Sequence, residues 1–204
     1  MRRLGDLAGA TAGVLVFAPF MAVISAAVWL DDGGPILFRQ TRVGVRRRPF
    51  TILKFRTMRN GEVTRVGRVL RATGLDEIAQ FFNIVRGDMS AVGPRPLTEA
   101  DVQRLGWGAA EFDFRWDAKP GLTGLAQIAG THAAAESLAL DREYLARRTV
   151  RLDLWLIALS FAVNAFGKTR VRAFMQRRRA PRANHREKTE KSGRKSRRVF
   201  GKTL

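Results

Sequence analysis

The hydrophobic pattern begins with one long apolar segment near the start of the chain. Residues 7–30 contain no ionisable side chain, and as a helix they would extend about 36 Å, enough for a hydrocarbon layer of about 30 Å. Pro19 lies at the middle of the segment and removes a backbone donor, which predicts a kink or a break. Three structures remain open: a cleaved signal peptide, since Ser25-Ala26-Ala27 resembles a cleavage site, a straight membrane-spanning helix, and a re-entrant helical hairpin.

Basic residues flank this segment on both sides and favour the hairpin. Arg2 and Arg3 precede the segment, and the cations that follow it are Arg39, Arg42, Arg46, Arg47, Arg48, Lys54, Arg56 and Arg59. Cationic flanks tend to stay in the cytoplasm, and a straight span would place one of the two on the far side. A helix that enters and leaves through the same leaflet keeps both in the cytoplasm.

Short strands and helices follow the apolar segment. β-branched and aromatic residues mixed with basic ones predict short strands around Gly44, within residues 35–57, and residues 62–70 resemble a short helix. A clearer helix is predicted from Thr73, because apolar residues recur there at helical spacing and would form one stripe: Leu75, Ile78, Phe82, Val85 and Met89. The same spacing places three polar residues together on another face: Asp76, Gln80 and Asn83.

Turn-rich loops separate the remaining helices. Gly93-Pro94-Arg95-Pro96 ends the helix that starts at Thr73, and residues 119–124 form a second loop. Helices are predicted over residues 97–114, 136–148 and 152–166. The last is apolar but too short to span a bilayer, so we place it in the membrane interface or against the core.

The charge is uneven along the chain. Lys and Arg number 37 against 18 Asp and Glu, a formal charge of +19, which indicates a polyanionic partner: nucleic acid, an anionic membrane surface or a phosphorylated substrate. Residues 168–204 hold 15 of the basic and two of the acidic residues and show no periodicity. We expect this tail to be disordered or bound to anionic lipid headgroups. Because the strongest basic signal is a tail without a recognition motif, the nucleic-acid interpretation is weakened.

Composition also limits the metal chemistry. The chain has no cysteine, which excludes disulfides and thiolate metal sites. Its two histidines, His132 and His185, are too few and too far apart for a histidine cluster. A metal would therefore be held by carboxylates, and Mg²⁺ is the natural candidate.

Asp76 and Glu77 are adjacent carboxylates with two explanations. Thr73 and Asp76 nearly match a capping box, and acidic residues at a helix start are favoured by its dipole, so the pair has a structural explanation. Neighbouring helical side chains also point about 100° apart, so the two carboxylates could not do the same job. The cationic stretch over 39–59 and the rigid loop over 93–96 instead favour phosphoryl or phosphoglycosyl transfer with a divalent metal.

Several ordered motifs resemble those of one protein family. They are Phe38-Arg39-Gln40-Thr41-Arg42-Val43-Gly44, Pro49-Phe50, Lys54-Phe55-Arg56-Thr57-Met58, Leu75-Asp76-Glu77, Gln80, Asn83, Arg86-Gly87-Asp88-Met89-Ser90, Val92-Gly93-Pro94-Arg95-Pro96, Lys119-Pro120-Gly121-Leu122-Thr123-Gly124-Leu125-Ala126-Gln127, Asp141-Arg142-Glu143-Tyr144 and Asp153. In this order and spacing, over residues 1–167, the chain resembles the bacterial sugar transferases. These are the monotopic phosphoglycosyl transferases that initiate polysaccharide and glycoprotein glycan assembly.

The resemblance implies an activity and roles for individual residues. The enzyme would transfer a sugar 1-phosphate from a UDP-sugar to polyprenyl (undecaprenyl) phosphate, release UMP and begin the synthesis of exopolysaccharide or another surface glycan. Asp76 would be the nucleophile that carries a covalent phosphosugar, and Glu77 would hold Mg²⁺. The other residues implied at the substrate site are Lys54, Arg56, Arg71, Gln80, Arg95, Pro96 and Asp153.

The resemblance also implies a membrane arrangement. Members carry a re-entrant helix broken at a Ser-Pro pair, where this chain has Ala18-Pro19, and their active site lies at the cytoplasmic face of the bacterial inner membrane. We therefore predict a monotopic, mostly helical α+β protein with a re-entrant helix over 1–32, a catalytic domain over 33–167 and a basic, disordered tail over 168–204. The expected partners are a UDP-sugar, polyprenyl phosphate and the membrane, without nucleic acid, and a homodimer is left open.

Three departures from the family pattern motivate an alternative. The loop between Met58 and Val66 is shorter than usual, Ala79 stands where the family has a proline, and Thr131 stands where it often has an arginine. If that arginine reads the nucleotide-sugar, the choice of sugar changes with it. The alternative is a membrane-tethered scaffold with the same fold and weakened catalysis, which an assay of UMP release distinguishes. A basic nucleic-acid-binding protein is the other alternative.

Overall fold

Helices predominate in the part of the chain that the computed structural model describes, residues 2–131 and 133–166. The α-helices of these residues are α1 (Arg2–Asp32), α2 (Arg65–Thr73), α3 (Phe81–Arg86), α4 (Glu99–Leu105), α5 (Leu125–Ala129), α6 (Ala134–Arg147) and α7 (Val150–Phe166). The strands are β1 (Leu37–Val43), β2 (Pro49–Phe55), β3 (Met58–Arg59), β4 (Glu62–Val63), β5 (Ser90–Val92) and β6 (Gly121–Thr123). The mostly helical α+β fold is confirmed, and the predicted tail over 168–204 lies outside the described residues.

α1 is one uninterrupted helix of 31 residues with Pro19 inside it. The break predicted at Pro19 is therefore wrong, whereas the alternative, a kink, stays a prediction. A proline removes only one helical hydrogen bond, and the helix is stabilised on both sides of Pro19, because Ala10 and Met21 both lie in buried clusters shared with the rest of the chain. In the described part of the chain, α1 is the one helix that could cross a membrane, judged by length and composition only. Its re-entrant placement stays a prediction.

Both ends of α1 are held by the same globular part of the chain. Near its first turn, the Asp6 carboxylate accepts hydrogen bonds from the Ser90 hydroxyl at 2.8 Å and the Ala91 amide at 3.0 Å. At its last turn, the Asp31 carboxylate accepts from the Val66 amide at 3.0 Å. Between these ends, large apolar side chains of α1 are exposed: Leu4, Leu7, Leu15, Val16, Phe20, Val23, Trp29 and Leu30.

β1 and β2 form an antiparallel hairpin around Gly44, as the sequence predicts. Leu37 lies opposite Phe55 at the open end, and Val43 lies opposite Pro49 near the turn. A short 3₁₀ helix, Val45–Arg47, completes the turn.

The helix predicted over 62–70 begins later, at Arg65, because its first two residues form β4. Thr64 fixes the start, since its hydroxyl accepts a hydrogen bond from the Gly67 amide at 2.9 Å. Gly67 also lets α2 approach the chain after β2: a Cβ at this position would lie 2.1 Å from the carbonyl oxygen of Thr57.

The helix predicted from Thr73 is divided at Gly74. Thr73 is the last residue of α2, and Gly74 takes a left-handed conformation (φ 73°) that ends that helix. The Thr73 hydroxyl donates back to the Val69 carbonyl at 2.8 Å and does not cap the turn that carries Asp76. The capping-box explanation of Asp76 is therefore wrong.

The next turn is a 3₁₀ helix, Leu75–Gln80, which continues into α3. A 3₁₀ turn has about 3.0 residues, so every later side chain is rotated relative to the α-helical prediction. Most of the predicted apolar stripe still packs into the core, since Ile78 and Met89 are buried there, and α3 holds the exception. Phe82 is 42% exposed, whereas the polar Asn83 is fully buried.

The two Gly- and Pro-rich loops lie side by side. They flank β5 and β6, which pair in parallel with Ser90 opposite Gly121. The Gly93 amide donates to the Thr123 carbonyl at 2.9 Å. A Cβ on Gly121 would lie 2.0 Å from the Gly93 nitrogen, so this close approach requires glycine.

The helix predicted over 97–114 is two shorter helices. Thr98 and Asp101 form a capping box at the start of α4, and Gly106 takes a left-handed conformation (φ 70°) that ends α4 after seven residues. A 3₁₀ helix, Ala110–Arg115, follows. The helices predicted over 136–148 and 152–166 are confirmed as α6 and α7.

Candidate active site

A cavity of about 590 Å³, the Asp76 cavity, lies beside the 3₁₀ helix Leu75–Gln80. This volume is typical of small-molecule sites, which measure roughly 300–1,000 Å³. The cavity brings together seven of the residues expected at the site: Lys54, Arg71, Asp76, Glu77, Gln80, Arg95 and Pro96.

Core packing orients the two carboxylates towards this cavity. Ile78 and Ala79 follow Glu77 in the 3₁₀ helix and are buried in the apolar cluster that joins α1 to β2 and α2. With that side of the turn fixed in the core, the side chains of Asp76 and Glu77 line the cavity.

The two carboxylates have different surroundings. The Lys54 ammonium donates to Glu77 Oε1 at 2.5 Å, whereas no side chain of the described residues donates to Asp76. Burial, and then the charge of Glu77, raises the pKa of Asp76 above its ordinary value, against the opposing charges of Lys54 and Arg71. Asp76 thus lines the cavity as a carboxylate without a side-chain donor among the described residues, which suits a nucleophile.

Four cationic side chains surround the carboxylates, each from a different part of the chain. Arg42 comes from β1, Lys54 from β2, Arg71 from α2 and Arg95 from the loop after β5. The Arg71 guanidinium is steadied by the Thr57 hydroxyl, to which its Nε donates at 2.9 Å. Four cations against two carboxylates leave an excess of positive charge, which suits a diphosphate.

Asn83 fixes β2 against α3 and thereby sets the position of Lys54. Its carboxamide oxygen accepts from the Leu53 amide at 3.0 Å, and its nitrogen donates to the Thr51 carbonyl at 2.7 Å. The sequence places Asn83 beside Asp76, but this side chain is fully buried and does not line the cavity. It joins the strand that carries Lys54 to the helix that follows Asp76.

The loop after β5 presents Arg95 by burying its neighbours. Pro94 and Pro96 are buried, while Arg95 is exposed and lines the cavity. The buried Arg115 guanidinium donates to the Arg95 carbonyl at 2.6 Å and to the Asp141 carboxylate at 2.9 Å. The backbone of Arg95 is therefore anchored to a buried ion pair.

Two of the expected site residues lie elsewhere. Arg56 forms an ion pair with Asp32 at the C-terminal end of α1. Asp153 accepts from the Tyr144 hydroxyl at 2.7 Å and lies 3.8 Å from Arg2 at the N-terminal end of α1. Neither residue lines the Asp76 cavity, and their roles in substrate binding stay predictions.

The departures from the family pattern also lie off the cavity lining. Ala79 is 1% exposed in the core. Thr131 follows α5, and its hydroxyl donates to the Glu136 carboxylate of α6. His132 lies outside the described residues. The short loop between Met58 and Val66 contains the β3–β4 hairpin.

Eleven further residues line the cavity without having been assigned to the site from the sequence, and Arg42, Gln127, Ser160 and Val163 are among them. Arg42 donates to the Pro96 carbonyl at 3.1 Å, and burial lowers its pKa. Gln127 Oε1 is buried without a hydrogen-bond partner in the described residues. Arg42 and Gln127 stand inside the quoted motifs, which is the signal that could have found them, whereas Ser160 and Val163 belong to a helix whose apolar pattern indicates only core or interface.

The carboxylates fit Mg²⁺ only together with a phosphate. Among the described residues, no group of three or more His, Cys, Asp or Glu side chains could hold a metal ion. Mg²⁺ in phosphoryl-transfer sites usually takes one or two carboxylates and completes its shell with substrate phosphates and water. Glu77 keeps one oxygen beyond the one that Lys54 contacts, and Asp76 is adjacent.

The chain belongs to the bacterial sugar transferase family, which it matches over residues 1–167. The resemblance inferred from the motifs is thereby confirmed. The matched range includes every residue that lines the Asp76 cavity.

Curated relatives include transferases of undecaprenyl phosphate. The chain is 40% identical over 168 residues to the UDP-glucose:undecaprenyl-phosphate glucose-1-phosphate transferase of Caulobacter vibrioides, which covers 76% of the chain and 63% of that protein. It is 35% identical over 181 residues to the protein of the same name from Escherichia coli, and this match covers 78% of the chain and 39% of that protein. It is 34% identical over 187 residues to exopolysaccharide production protein ExoY of Rhizobium meliloti, and this match covers 76% of the chain and 81% of that protein. The chain thus spans less than two thirds of the first two relatives.

Proposed function

We propose that this protein transfers a sugar 1-phosphate from a UDP-sugar to undecaprenyl phosphate, releases UMP and so starts an exopolysaccharide or related surface glycan. Family membership and the names of the relatives support the reaction class. The observation that carries the proposal is the Asp76 carboxylate, which has no side-chain donor among the described residues, beside a Lys54-bound Glu77 in a cationic cavity. The relatives are named for different sugars, so the proposal extends to UDP-sugars as a class.

The reaction proceeds in two displacements at the sugar-linked phosphorus. An Asp76 oxygen attacks this phosphorus, the bond to the bridging oxygen breaks, and UMP leaves with the electron pair. The sugar phosphate is now bound to Asp76 as an acyl phosphate. A phosphate oxygen of undecaprenyl phosphate then attacks the same phosphorus, and the Asp76 carboxylate leaves to regenerate the enzyme.

The cations act by orienting and neutralising phosphate oxygens. Phosphoryl transfer needs little from a protein beyond in-line positioning and charge stabilisation. Lys54, Arg71 and Arg95 face the cavity from three elements and would hold the diphosphate of the donor, with Arg42 as a fourth cation. Because these cations come from different elements, they would hold the donor relative to Asp76 from several directions.

Glu77 would hold Mg²⁺, together with oxygens of the diphosphate. The ion would supply neutralisation of the charge that develops on the leaving UMP. Lys54, already bonded to Glu77, would keep that carboxylate turned towards the phosphates. Asp76, which lacks such a partner, stays available as the nucleophile.

We also propose that the protein is monotopic and lies on the cytoplasmic face of the bacterial inner membrane. The contacts of Asp6 and Asp31 bind both ends of α1 to one globular part, which a helix crossing the bilayer could not allow. The exposed apolar side chains between these ends would lie in lipid. Arg2 and Arg3 before α1 and the basic hairpin after it would then stay in the cytoplasm.

The substitution Asp76→Asn tests the reaction directly. UMP release from a panel of UDP-sugars, with Mg²⁺ and undecaprenyl phosphate, should fall by about a thousandfold or more, because the nucleophile is lost. The control Asp117→Asn removes an exposed carboxylate away from the cavity and should leave the rate unchanged. UMP release at the wild-type rate from Asp76→Asn would contradict the proposal, and no release from any UDP-sugar by the wild type would favour the scaffold alternative.

A further inference from the structure

The Asp76 cavity has an apolar side that a UDP-sugar donor does not explain. Ala72 of α2, Ile128 of α5 and Val163 of α7 line the same cavity as the cations, and we call these three residues the apolar wall. The diphosphate, the ribose and the sugar of the donor are polar, and only the flat uracil ring could pack against the wall. A second ligand with an apolar part would account for the wall.

α7 connects the apolar wall to the protein surface. Ser160 and Val163 are one turn apart and both line the cavity, while Leu156 and Leu159 are buried and hold the helix in place. On another face of α7, large apolar side chains are exposed: Val150, Leu154 and Phe161. No residue from 154 to 163 is ionisable, so α7 itself presents no charge to a hydrocarbon chain that lies along it.

We propose that the apolar wall binds the first isoprene units of the acceptor, so that undecaprenyl phosphate reaches Asp76 along α7. This inference rests on the proposed function. The acceptor is an amphiphile. Its phosphate would bind the cations of the cavity, and its hydrocarbon chain would be removed from water against the apolar wall. α2 and α7 lie in contact, so Ala72 and Val163 belong to one continuous surface.

The two half-reactions separate acceptor binding from donor binding. Loading is measured as UMP release without acceptor, and transfer as the loss of bound sugar phosphate after undecaprenyl phosphate is added in detergent micelles. Val163→Trp should fill the space beside the apolar wall and lower the ratio of transfer rate to loading rate by about tenfold or more. Val163→Ser, which keeps the volume small, should raise the KM for undecaprenyl phosphate without raising that for the UDP-sugar.

Ala139→Trp is the matched control, because Ala139 is exposed on α6, outside the proposed route along α7, and does not line the cavity. Its ratio of transfer to loading should equal that of the wild type. An unchanged ratio in Val163→Trp, or a loss confined to loading, would overturn the inference, and the second result would assign the apolar wall to the nucleotide. A wild-type protein that does not load at all would overturn the proposed function itself, and this inference with it.

Discussion

At the residue scale, the difference between Asp76 and Glu77 comes from one turn of backbone and one lysine. In a 3₁₀ helix, successive side chains point about 120° apart, so the two carboxylates leave the helix in different directions. Among the described residues, Lys54 donates a hydrogen bond to Glu77 and not to Asp76. Asp76 is left partly buried beside a like charge, which raises its pKa. The proposed nucleophile and the proposed metal ligand are therefore distinguished by their surroundings.

The raised pKa of Asp76 makes a prediction about stability. A carboxyl that binds its proton more tightly in the folded state contributes stability that is complete below the unfolded pKa and is lost as the pH rises through the folded pKa. Asp76→Asn stays neutral at every pH. We therefore expect its melting temperature in detergent to exceed that of the wild type at neutral pH, with the difference shrinking as the pH falls.

Asp117→Asn serves as the control for this measurement as well, because it removes an exposed carboxylate. It should change the melting temperature little and without this dependence on pH. Equal melting temperatures of Asp76→Asn and the wild type at neutral pH would mean that the folded structure does not disfavour the charged form of Asp76.

At the scale of secondary-structure elements, a buried ion pair connects the loop of Arg95 to α6. The side chains of Arg115 and Asp141 are 2% and 3% exposed, and Arg115 stacks between Trp107 and Trp116, with 5.2 and 5.0 Å from its guanidinium carbon to the ring centroids. The same guanidinium holds the Arg95 carbonyl. Removing its carboxylate partner would leave an unpaired charge in the core.

Asp141→Ala should therefore lower the free energy of unfolding by about 3–5 kcal/mol, as measured by chemical denaturation in detergent. The matched control is Asp113→Ala, which breaks the exposed ion pair of Arg47 and Asp113 and should cost about 0–1 kcal/mol. If Asp141→Ala lowered the free energy of unfolding no more than Asp113→Ala, the Arg115–Asp141 pair would not anchor the Arg95 loop.

Sequence patterns predict elements well where local signals agree with tertiary packing. The strands around Gly44 and the helices α6 and α7 follow from such signals. The 3₁₀ helix after Gly74 does not, because its residues Ile78 and Ala79 pack against α1, a contact that no local pattern shows. These contacts join residues far apart in sequence.

The same limit applies to the arginines of the site. Arg42 and Arg56 both stand in basic motifs on the β1–β2 hairpin or just after it, and only the first lines the Asp76 cavity. The register of the β1–β2 pairing and the ion pair between Arg56 and Asp32 decide which guanidinium faces the cavity. A single sequence does not contain that information.

At the scale of the whole molecule, α1 is part of the globular fold as well as the longest helix of the described residues. It packs against α2, α3, β2 and β5, and its terminal carboxylates bond to the globular part at both ends. Its outward side is apolar over most of its length. A helix held in this way would rest in one leaflet together with the exposed apolar side of α7.

Cysteine labelling tests this arrangement, since the chain has no cysteine of its own. Gly5→Cys and Pro35→Cys place exposed thiols near the two ends of α1, and Gly108→Cys marks the globular part. A membrane-impermeant maleimide should label all three in inverted vesicles and none in intact spheroplasts. Labelling of Gly5→Cys and Pro35→Cys from opposite sides would mean that α1 spans the membrane.

The central claim is a covalent intermediate on Asp76, and intact-protein mass spectrometry tests it most directly. Wild-type protein incubated with a UDP-sugar and Mg²⁺, without acceptor, should gain the mass of one sugar phosphate on the peptide that contains Asp76. Undecaprenyl phosphate should then remove that mass. Product formation with no change in protein mass before the acceptor is added, or an adduct on another residue, would contradict the account.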